Sequence, residues 1–347
     1  MSAGARPTIA DVARLAGVSI KTVSRVANNE PNVRDGTRKK VLEVIADLNY
    51  LPNPSARSLA SRRSFLIGLL YDNPSASYLV NIQDGALKTS RATGYDLIIH
   101  PCVYKDPNLT TELQMMIAQS KVDGLVLTPP LSDMDSVVNL LDELGMPFVR
   151  VAPADRSDTG RAIYTNDSET CAEMTAYLHS LGHEDIAFII GHPDHGAVAQ
   201  RFDGYQAGMK KCGLTVRKDF IAQGYNSFES GVDCAKQLLS LKRPPTAIFA
   251  SNDDMAAGVI KEAHDRGLAI PGDLSVAGFD DIPLASYLWP ALTTVRQPIQ
   301  QMAASAAELL LTKLGARDDG EIESVVKSEL VIRESTGPDL RVSGHVN

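Results

Sequence analysis

The sequence predicts a small all-α head followed by a larger α/β body, and three observations lead to this fold class. The chain has 347 residues, more than one small domain usually contains. Residues 1–63 hold 11 basic and 5 acidic residues, a formal charge of +6, and the other 23 basic and 37 acidic residues leave −14 for the body. Apolar strand-like runs alternate with helical stretches only in the body. A basic head on an acidic body indicates an anionic partner for the head alone.

Composition narrows the class of protein further. Hydrophobic residues make up 44% of the chain and charged residues 22%, which is typical of a globular protein with a sizeable core. No apolar run approaches the roughly 20 residues that cross a bilayer, and the opening "MSAGARPT" has no secretory apolar stretch, so we expect a cytoplasmic protein without a membrane partner. The four cysteines form no CxxC pair and are expected to be reduced thiols: Cys102, Cys171, Cys212 and Cys234.

The first two predicted helices are short and flank Gly17. Thr8 can cap the first helix, with Asp11 as its capping-box partner. Gly17 permits the sharp exit that a helix carboxyl end needs, and Ser19 can cap the second helix. The apolar residues of the first helix share one face: Ile9, Val12, Ala13 and Ala16.

A helical wheel divides the second helix into two arcs. The packing arc contains Thr22, Val23, Val26 and Ala27, and the exposed arc contains Ile20, Lys21, Ser24 and Arg25. A third helix is predicted from about Asp35 to Leu48, with basic residues near its start. Together these elements indicate a helix-turn-helix whose exposed arc fits a DNA major groove. The simpler alternative is an ordinary helical hairpin that does not bind DNA. Whether Lys21 and Arg25 read guanine or grip phosphate stays open at this point.

The segments "TIADVARLAGVSIKTVSRVANN" and "VLEVIADLNYLPNPSARSLAS" resemble the DNA-binding head of the lactose repressor (LacI/GalR) family of bacterial transcription regulators. The likeness covers the whole head and continues, more weakly, to about Ser335. It implies a homodimer that binds a pseudo-palindromic operator in double-stranded DNA. The candidate DNA-binding residues are Thr8, Ser19, Ile20, Lys21, Thr22, Ser24, Arg25, Asn32, Ala56 and Leu59.

The resemblance also gives a role to "PSARSLAS", residues 54–61. In the family this segment becomes a hinge helix on operator DNA, and a leucine wedges open a central base step in the minor groove. Leu59 occupies that place, and Ala56 is small enough to let two such helices approach. A segment this short is not helical alone, so folding on DNA makes it a natural switch. Without the resemblance, a plain flexible linker is the simpler interpretation.

The body shows strand–helix alternation throughout. The strand-like runs are "FLIGLLY", "YDLIIH", "DGLVLT", "PFVRV", "DIAFII", "TAIFAS" and "LSVAGF". Such alternation predicts parallel sheets covered by helices on both faces, and the number of units predicts two sheets. The resemblance implies two Rossmann-like lobes of periplasmic-binding-protein type, with chain crossings near Tyr164, Thr293 and Val326.

The implied division of the chain follows from those crossings. It comprises a helix-turn-helix domain over 1–52, a hinge over 53–63, one lobe from 64–163 and 294–325, a second lobe from 164–293 and 326–336, and a tail over 337–347. Ligands of such sheets bind beyond the carboxyl ends of the strands, so candidate site residues are sought in the loops that follow them.

Two of those loops carry the main candidates for binding a small-molecule effector. "TAIFASNDDMAAG" ends a strand in a run of polar residues, for which helix capping and ligand binding are equally open on the residues alone. The family pattern favours ligand binding and assigns it to Asp253. Arg201 stands three residues before Gly204, at the spacing of the family's effector-binding arginine; a surface salt bridge is the alternative.

Other loops add further effector candidates. "YDNPSASY" contributes Tyr71, Asp72, Asn73 and Tyr78, and "GFDDIP" contributes Asp280 and its neighbour Asp281. The chain departs from the family in "QGYNSFESG", where the usual stacking aromatic is replaced by Asn226, flanked by Tyr225 and Phe228. This change weakens any borrowed effector identity.

Neither metal binding nor catalysis is expected at these loops. His192 and His195 bracket an aspartate, which suggests a metal only weakly, since no third ligand is visible. The chain has no GxSxG, P-loop, HExxH or GxGxxG motif, so catalytic residues and cofactors are not predicted. The sequence therefore predicts a transcriptional regulator, most simply a repressor, controlled by a sugar or sugar derivative. A sugar-binding protein that does not bind DNA is the alternative, and a sugar- or nucleotide-processing enzyme has little support.

Overall fold

A computed structural model describes residues 7–27, 32–50, 61, 63–73, 75–158, 160–317 and 322–340. The chain divides into two units, Met1–Phe65 and Leu66–Asn347, which are the predicted head and body.

The described residues of the head form three helices: α1 (Ile9–Ala16), α2 (Ile20–Ala27) and α3 (Asp35–Asp47). The predicted capping box is present, because the Thr8 hydroxyl accepts from the amide of Asp11 and the Asp11 carboxylate accepts from the amide of Thr8. Gly17 adopts the left-handed conformation, with φ 65°, and turns the chain between α1 and α2. One buried cluster joins the three helices: Val12, Ala13, Ala16, Val23, Val26, Val41 and Tyr50.

The larger of the two main sheets in the body has six parallel strands. In sheet order they are β11 (Val325–Val326), β5 (Ala162–Thr165), β4 (Phe148–Val151), β3 (Gly124–Leu127), β1 (Leu66–Tyr71) and β2 (Asp96–Pro101). The strands β3, β4 and β5 are buried at every position, as the apolar runs predicted for β3 and β4, whereas β5 was expected only as a chain crossing near Tyr164. The helices that run between the strands are α4 (Ala76–Ala92), α5 (Leu109–Ser120) and α6 (Asp135–Glu143).

The second sheet has four parallel strands. In sheet order they are β7 (Ile221–Gln223), β6 (Ile186–Ile190), β8 (Ala247–Ala250) and β9 (Ser275–Ala277). Its helices are α7 (Asp167–Ser180), α8 (Gly196–Lys211), α9 (Phe228–Leu239), α10 (Asp253–Asp265) and the short α11 (Pro283–Tyr287). Each main sheet is covered by helices, so the predicted α/β body with two parallel-sheet lobes is confirmed.

Three segments connect the lobes. β5 continues into α7, β10 (Thr294–Arg296) leads to α12 (Ile299–Lys313), which packs on α4, and β11 is followed by the last strand of the body. β10 also pairs with β12 (Glu329–Val331) in a two-stranded antiparallel ribbon. The predicted crossings at residues 164, 293 and 326 fall in or beside β5, β10 and β11. The lobe boundaries themselves stay a prediction.

Candidate functional sites

A cavity of about 590 Å³ opens where strands of the two main sheets end. Its wall is built from the loops that follow β1, β2, β3, β4, β6, β7, β8, β9 and β10. The polar and aromatic residues that border it are Asp72, Asn73, Ser75, Tyr78, Tyr104, His192, His195, Arg201, Tyr225, Asn226, Ser227, Asn252, Asp254, Asp280 and Gln297. A concave, mixed polar and apolar pocket of this volume suits a small organic molecule.

Arg201 is the fixed cation of the cavity. It lies on α8 and is only 8% exposed. Its Nε donates to Asp167 Oδ2 at 3.1 Å, and its Nη1 donates to the Ser251 carbonyl at 2.5 Å. Its guanidinium carbon lies 3.8 Å from the centre of the Phe279 ring. A guanidinium held on two edges and one face keeps a single orientation, which prepares it to donate to a ligand without further ordering.

Asp280 faces Arg201 across the cavity wall. Its Oδ1 lies 3.4 Å from Arg201 Nη2, and its backbone takes a φ of 111°, which non-glycine residues rarely adopt. Its amide donates to the Val295 carbonyl, which ties this backbone to β10. Burial raises the pKa of Asp280 to about 7, although the guanidinium of Arg201 opposes the change. The carboxyl therefore titrates near neutral pH while pointing at the ligand space.

The three neighbouring polar residues after β8 make different contacts, and the aspartate to which the family pattern assigned ligand binding is not the one that borders the cavity. Asp253 is fully buried and does not border it. The Asp253 Oδ1 accepts from the Thr294 hydroxyl at 2.5 Å, and its Oδ2 accepts from the Ile282 amide at 2.9 Å. Asp254 borders the cavity instead. Asn252 both caps α10, by accepting from the Met255 amide, and borders the cavity, so the capping and binding interpretations hold together for that residue.

Aromatic side chains form the rim. His192 meets Tyr104 and Tyr225 edge to face, at ring-centre distances of 6.4 and 5.8 Å. Asn226, at the position where the family has an aromatic residue, has a φ of 60° and accepts from the His192 amide through its side chain. Tyr225 is the aromatic residue of that loop that borders the cavity, whereas Phe228 does not.

All but two of the other predicted effector residues border the cavity, the exceptions being Tyr71 and Asp281. Asp72, Asn73, Tyr78, Arg201, Asn226 and Asp280 all border the cavity. Tyr71 does not, because it is still part of β1, where it pairs with Pro101 of β2, and the loop begins only after it. Sequence reasoning missed Asp254, Gln297 and Tyr104. The position of Asp254 beside a strand end was a usable signal, but nothing local marked the other two.

The two histidines of the metal alternative lie at the cavity with their rings 5.4 Å apart. Burial and the nearby His192 and Arg201 lower the pKa of His195 to about 4. Within the described ranges, no group of three or more histidine, cysteine, aspartate or glutamate side chains is placed to hold a metal ion.

The head presents the predicted surface on α2. Ile20 and Lys21 are exposed, and Ser24 and Arg25 are half-buried. The Ser19 hydroxyl is 2.9 Å from that of Thr22 and accepts from the Thr22 amide, which fixes the start of α2. An exposed helix of eight residues, braced by α1 and α3, is the form in which helix-turn-helix domains enter a major groove.

Four other predicted DNA contacts have different surroundings. Thr8 is exposed, but its hydroxyl is engaged in the cap of α1. Asn32 is exposed with a φ of 72°. Ala56 and Leu59, the proposed hinge residues, lie outside the described residues.

A three-helix head of this form joined to a two-lobed binding body defines a class of ligand-responsive DNA-binding regulators. Residues 8–53 match the pattern of "Bacterial regulatory proteins, lacI family", and residues 175–336 match that of a "Periplasmic binding protein-like domain". The probable HTH-type transcriptional repressor ExuR of Bacillus subtilis is 34% identical over 338 residues, which cover 94% of this chain and 98% of that protein. The HTH-type transcriptional repressor PurR of Photobacterium profundum is 34% identical over 330 residues, with the same coverage.

Solved structures agree with this relationship. The lac repressor dimer bound to operator and the anti-inducer ONPF superposes with a TM-score of 0.78 at 27% identity, over 96% of this chain and 100% of that one. The complex of the transcriptional regulator CelR with cellobiose gives a TM-score of 0.73 at 27% identity, over 95% of this chain and 100% of that one. The chain belongs to the LacI family of bacterial regulatory proteins and is a sequence-specific DNA-binding transcriptional regulator. None of the described helices is both long and apolar enough to cross a membrane.

Proposed function

We propose that this regulator is a repressor whose operator affinity is set by a small polyhydroxylated molecule, a sugar or sugar derivative, bound in the cavity of the body. The observation that carries the proposal is the cavity itself. Strands of both main sheets end at it, and it combines a fixed guanidinium with carboxylates, amides and aromatic edges. Hydroxyl groups need such paired donors and acceptors, and sugar ring faces need apolar or aromatic walls.

The lobes give the ligand a way to act. The wall residues come from both, so a ligand that contacts both favours one lobe arrangement over another. We propose that this arrangement determines whether residues 54–61 pair as hinge helices in a homodimer on a pseudo-palindromic operator. The coupling then equals the difference in ligand affinity between the two arrangements, typically about 1–3 kcal/mol.

The proposed DNA contacts are made by α2. Lys21 and Arg25 follow each other by one helical turn, so both can reach one groove. We propose that the exposed side chains Ile20 and Lys21 contact base edges or adjacent phosphates, with the neighbouring hydroxyls of Ser19 and Ser24 supporting them.

Two measurements test this function. Selection of DNA fragments from a random or genomic pool, followed by fluorescence anisotropy at physiological salt, is expected to yield a palindromic site bound at least about a thousandfold more tightly than random duplex. Addition of the matching sugar is then expected to shift that affinity. A chain that prefers no fragment over random DNA, with and without metabolites, contradicts the proposal.

A matched pair of variants separates the two sites. Lys21→Ala is expected to weaken operator binding and leave ligand binding intact, whereas Asp254→Ala is expected to do the reverse. Turnover of a candidate sugar by the purified chain is the result that favours an enzyme instead.

A further inference from the structure

The charges that border the cavity are unevenly balanced. The carboxylates of Asp72, Asp254 and Asp280 face it, and Arg201 is the one arginine or lysine among the described residues of its wall. What matters for a ligand is how much of that single positive charge is still uncompensated.

The charge of Arg201 is already matched by two carboxylates. Asp167, which is fully buried, accepts from its Nε at 3.1 Å, and Asp280 lies 3.4 Å from its Nη2. Nη1 is engaged by a backbone carbonyl. The remaining N–H groups of Arg201 can still donate to a hydroxyl, but the buried Asp167 carboxylate and the nearby Asp280, whose pKa is about 7, together offset its one positive charge. An arginine in this state is a hydrogen-bond donor rather than an anion receptor.

The two other aspartates have no cation beside them in the described part of the chain. The Asp254 side chain makes no hydrogen bond or ion pair with any described residue, and the charges that interact with it are those of Glu229 and Asp280; burial and Glu229 raise the pKa of Asp254. Asp72 accepts from the Tyr104 amide at 2.8 Å, and no lysine or arginine of the described chain pairs with it. Both carboxylates therefore keep acceptor capacity for a donor-rich ligand.

The described rim residues supply little compensating positive charge. The pKa of His195 is lowered to about 4, so its imidazole is neutral at pH 7. Lys105, beside the rim residue Tyr104, is paired with Asp194 at 3.3 Å. A negatively charged group placed in this cavity meets several carboxylates and, among the described wall residues, no uncompensated lysine or arginine. Such like-charge contacts are strongly unfavourable where water is excluded.

We infer that the cavity selects its ligand by charge: it binds neutral polyhydroxylated molecules, binds those with a protonated amine more tightly, and discriminates against uronates, aldonates and sugar phosphates. This inference rests on the proposed role of the cavity as the effector site. An ammonium group offers three donors and a positive charge to Asp254 and Asp72, whereas a carboxylate or phosphate offers acceptors only.

Calorimetric titration of the full chain with matched sugar sets tests the inference. Each set contains one neutral hexose or pentose with its amino-sugar, uronate and terminal-phosphate analogues, measured at pH 7 and about 0.15 M salt. Within every set that binds, we expect the amine to bind best and the anions at least about tenfold more weakly than the neutral sugar, which corresponds to about 1.4 kcal/mol. The advantage of the amine is expected to shrink with added salt, while the affinity of the neutral sugar stays constant.

A variant and its control make the test specific. Asp254→Asn is expected to reduce the preference for the amine over the neutral sugar about fivefold or more. Asp203→Asn removes the same charge from an exposed position on α8 that does not border the cavity, and it is expected to leave the preference unchanged.

Three results overturn the inference. One is a uronate or phosphate that binds more tightly than its neutral partner, and another is an unchanged preference in Asp254→Asn. If such an anion also shifts operator affinity, the proposed function stands and only the charge selection fails. The third result, no binding in any set, contradicts both the inference and the sugar-binding role.

Discussion

Replacing Asp253 by alanine tests whether this residue stabilises the body rather than binds the ligand. The Asp253 carboxyl is fully buried and is contacted by two donors, the Thr294 hydroxyl at 2.5 Å and the Ile282 amide at 2.9 Å. Alanine leaves both donors without an acceptor. We therefore expect the body to lose stability, although Asp253 does not border the cavity.

The size of the loss follows from these surroundings. A buried donor without a partner costs about 1–3 kcal/mol. Thr294 is fully buried and bears this cost, whereas Ile282 is only half-buried and its amide is expected to bear less of it. Removing Asp253 also relieves its own burial and its repulsion with Asp280, which are the two largest causes of its raised pKa. With these opposing contributions, we expect the free energy of unfolding to fall by about 2 kcal/mol.

Urea unfolding of the full chain, followed by circular dichroism through the transition of the body, measures this loss. Asp253→Asn is the matched control: its side chain can still accept from Ile282 and can donate to the Thr294 oxygen, so a smaller loss is expected. Asp254→Ala is expected to change the free energy of unfolding by less than about 0.5 kcal/mol and to abolish the ligand response. An Asp253→Ala chain with wild-type stability and no ligand response would refute the internal role given to Asp253.

Four further outcomes are expected. Lysine cannot reproduce the contacts of the Arg201 guanidinium with Asp167, the Ser251 carbonyl and the Phe279 ring, so Arg201→Lys is expected to destabilise the body by about 3 kcal/mol in the same urea assay and to remove ligand binding in calorimetry. Wild-type values in both assays would contradict the importance of these contacts. The pKa of Asp280 is raised from 3.8 to about 7, so its contribution to stability is complete below about pH 4 and is lost as the pH rises through 7. The free energy of unfolding, measured from pH 4 to 8, is expected to show this decline in the wild type but not in Asp280→Asn. Parallel pH profiles of the two proteins would contradict this role of Asp280. Gly278→Ala places a Cβ 2.4 Å from Asp253 Oδ1, so a melting temperature lowered by several degrees is expected, and an unchanged one would show that the close approach is relaxed. Lys21→Ala is expected to weaken operator binding about tenfold or more in fluorescence anisotropy, and an unaltered affinity would remove this residue from the interface.

The head could be predicted almost completely from the sequence, because its signals are local. The capping box of Thr8 and Asp11 acts across three residues, and Gly17 provides a left-handed turn that other residues adopt at a cost. The apolar stripes of α1 and α2 then leave one way to pack short helices against α3. The apolar runs also predicted seven strands of the body, namely β1, β2, β3, β4, β6, β8 and β9. No such run predicted β5 or β7, and a fully buried strand need not be wholly apolar, since β4 contains Arg150.

The cavity could be predicted only in part. Loops that follow parallel strands meet at one edge, so Asp280 could be placed near a ligand from its position at a strand end, whereas Asp72 and Asn226 were placed there by the resemblance to the family. Tyr104 and Gln297 follow strands too, but neither stands in a polar run that draws attention to the loop. Long-range chain crossings bring them to the wall, and no local pattern records such crossings.

The sequence by itself determined most of the order of helices and strands, the basic head, the acidic body and the sheet edge at which a ligand is expected. These properties depend on residue spacing and charge, which are fixed along the chain. The tertiary structure decided which neighbouring side chain faces the cavity. Asp253 and Asp254 are identical in chemistry and adjacent on a helix, and Thr294 and Ile282, which lie 41 and 29 positions away in the chain, bond the first and leave the second to border the cavity.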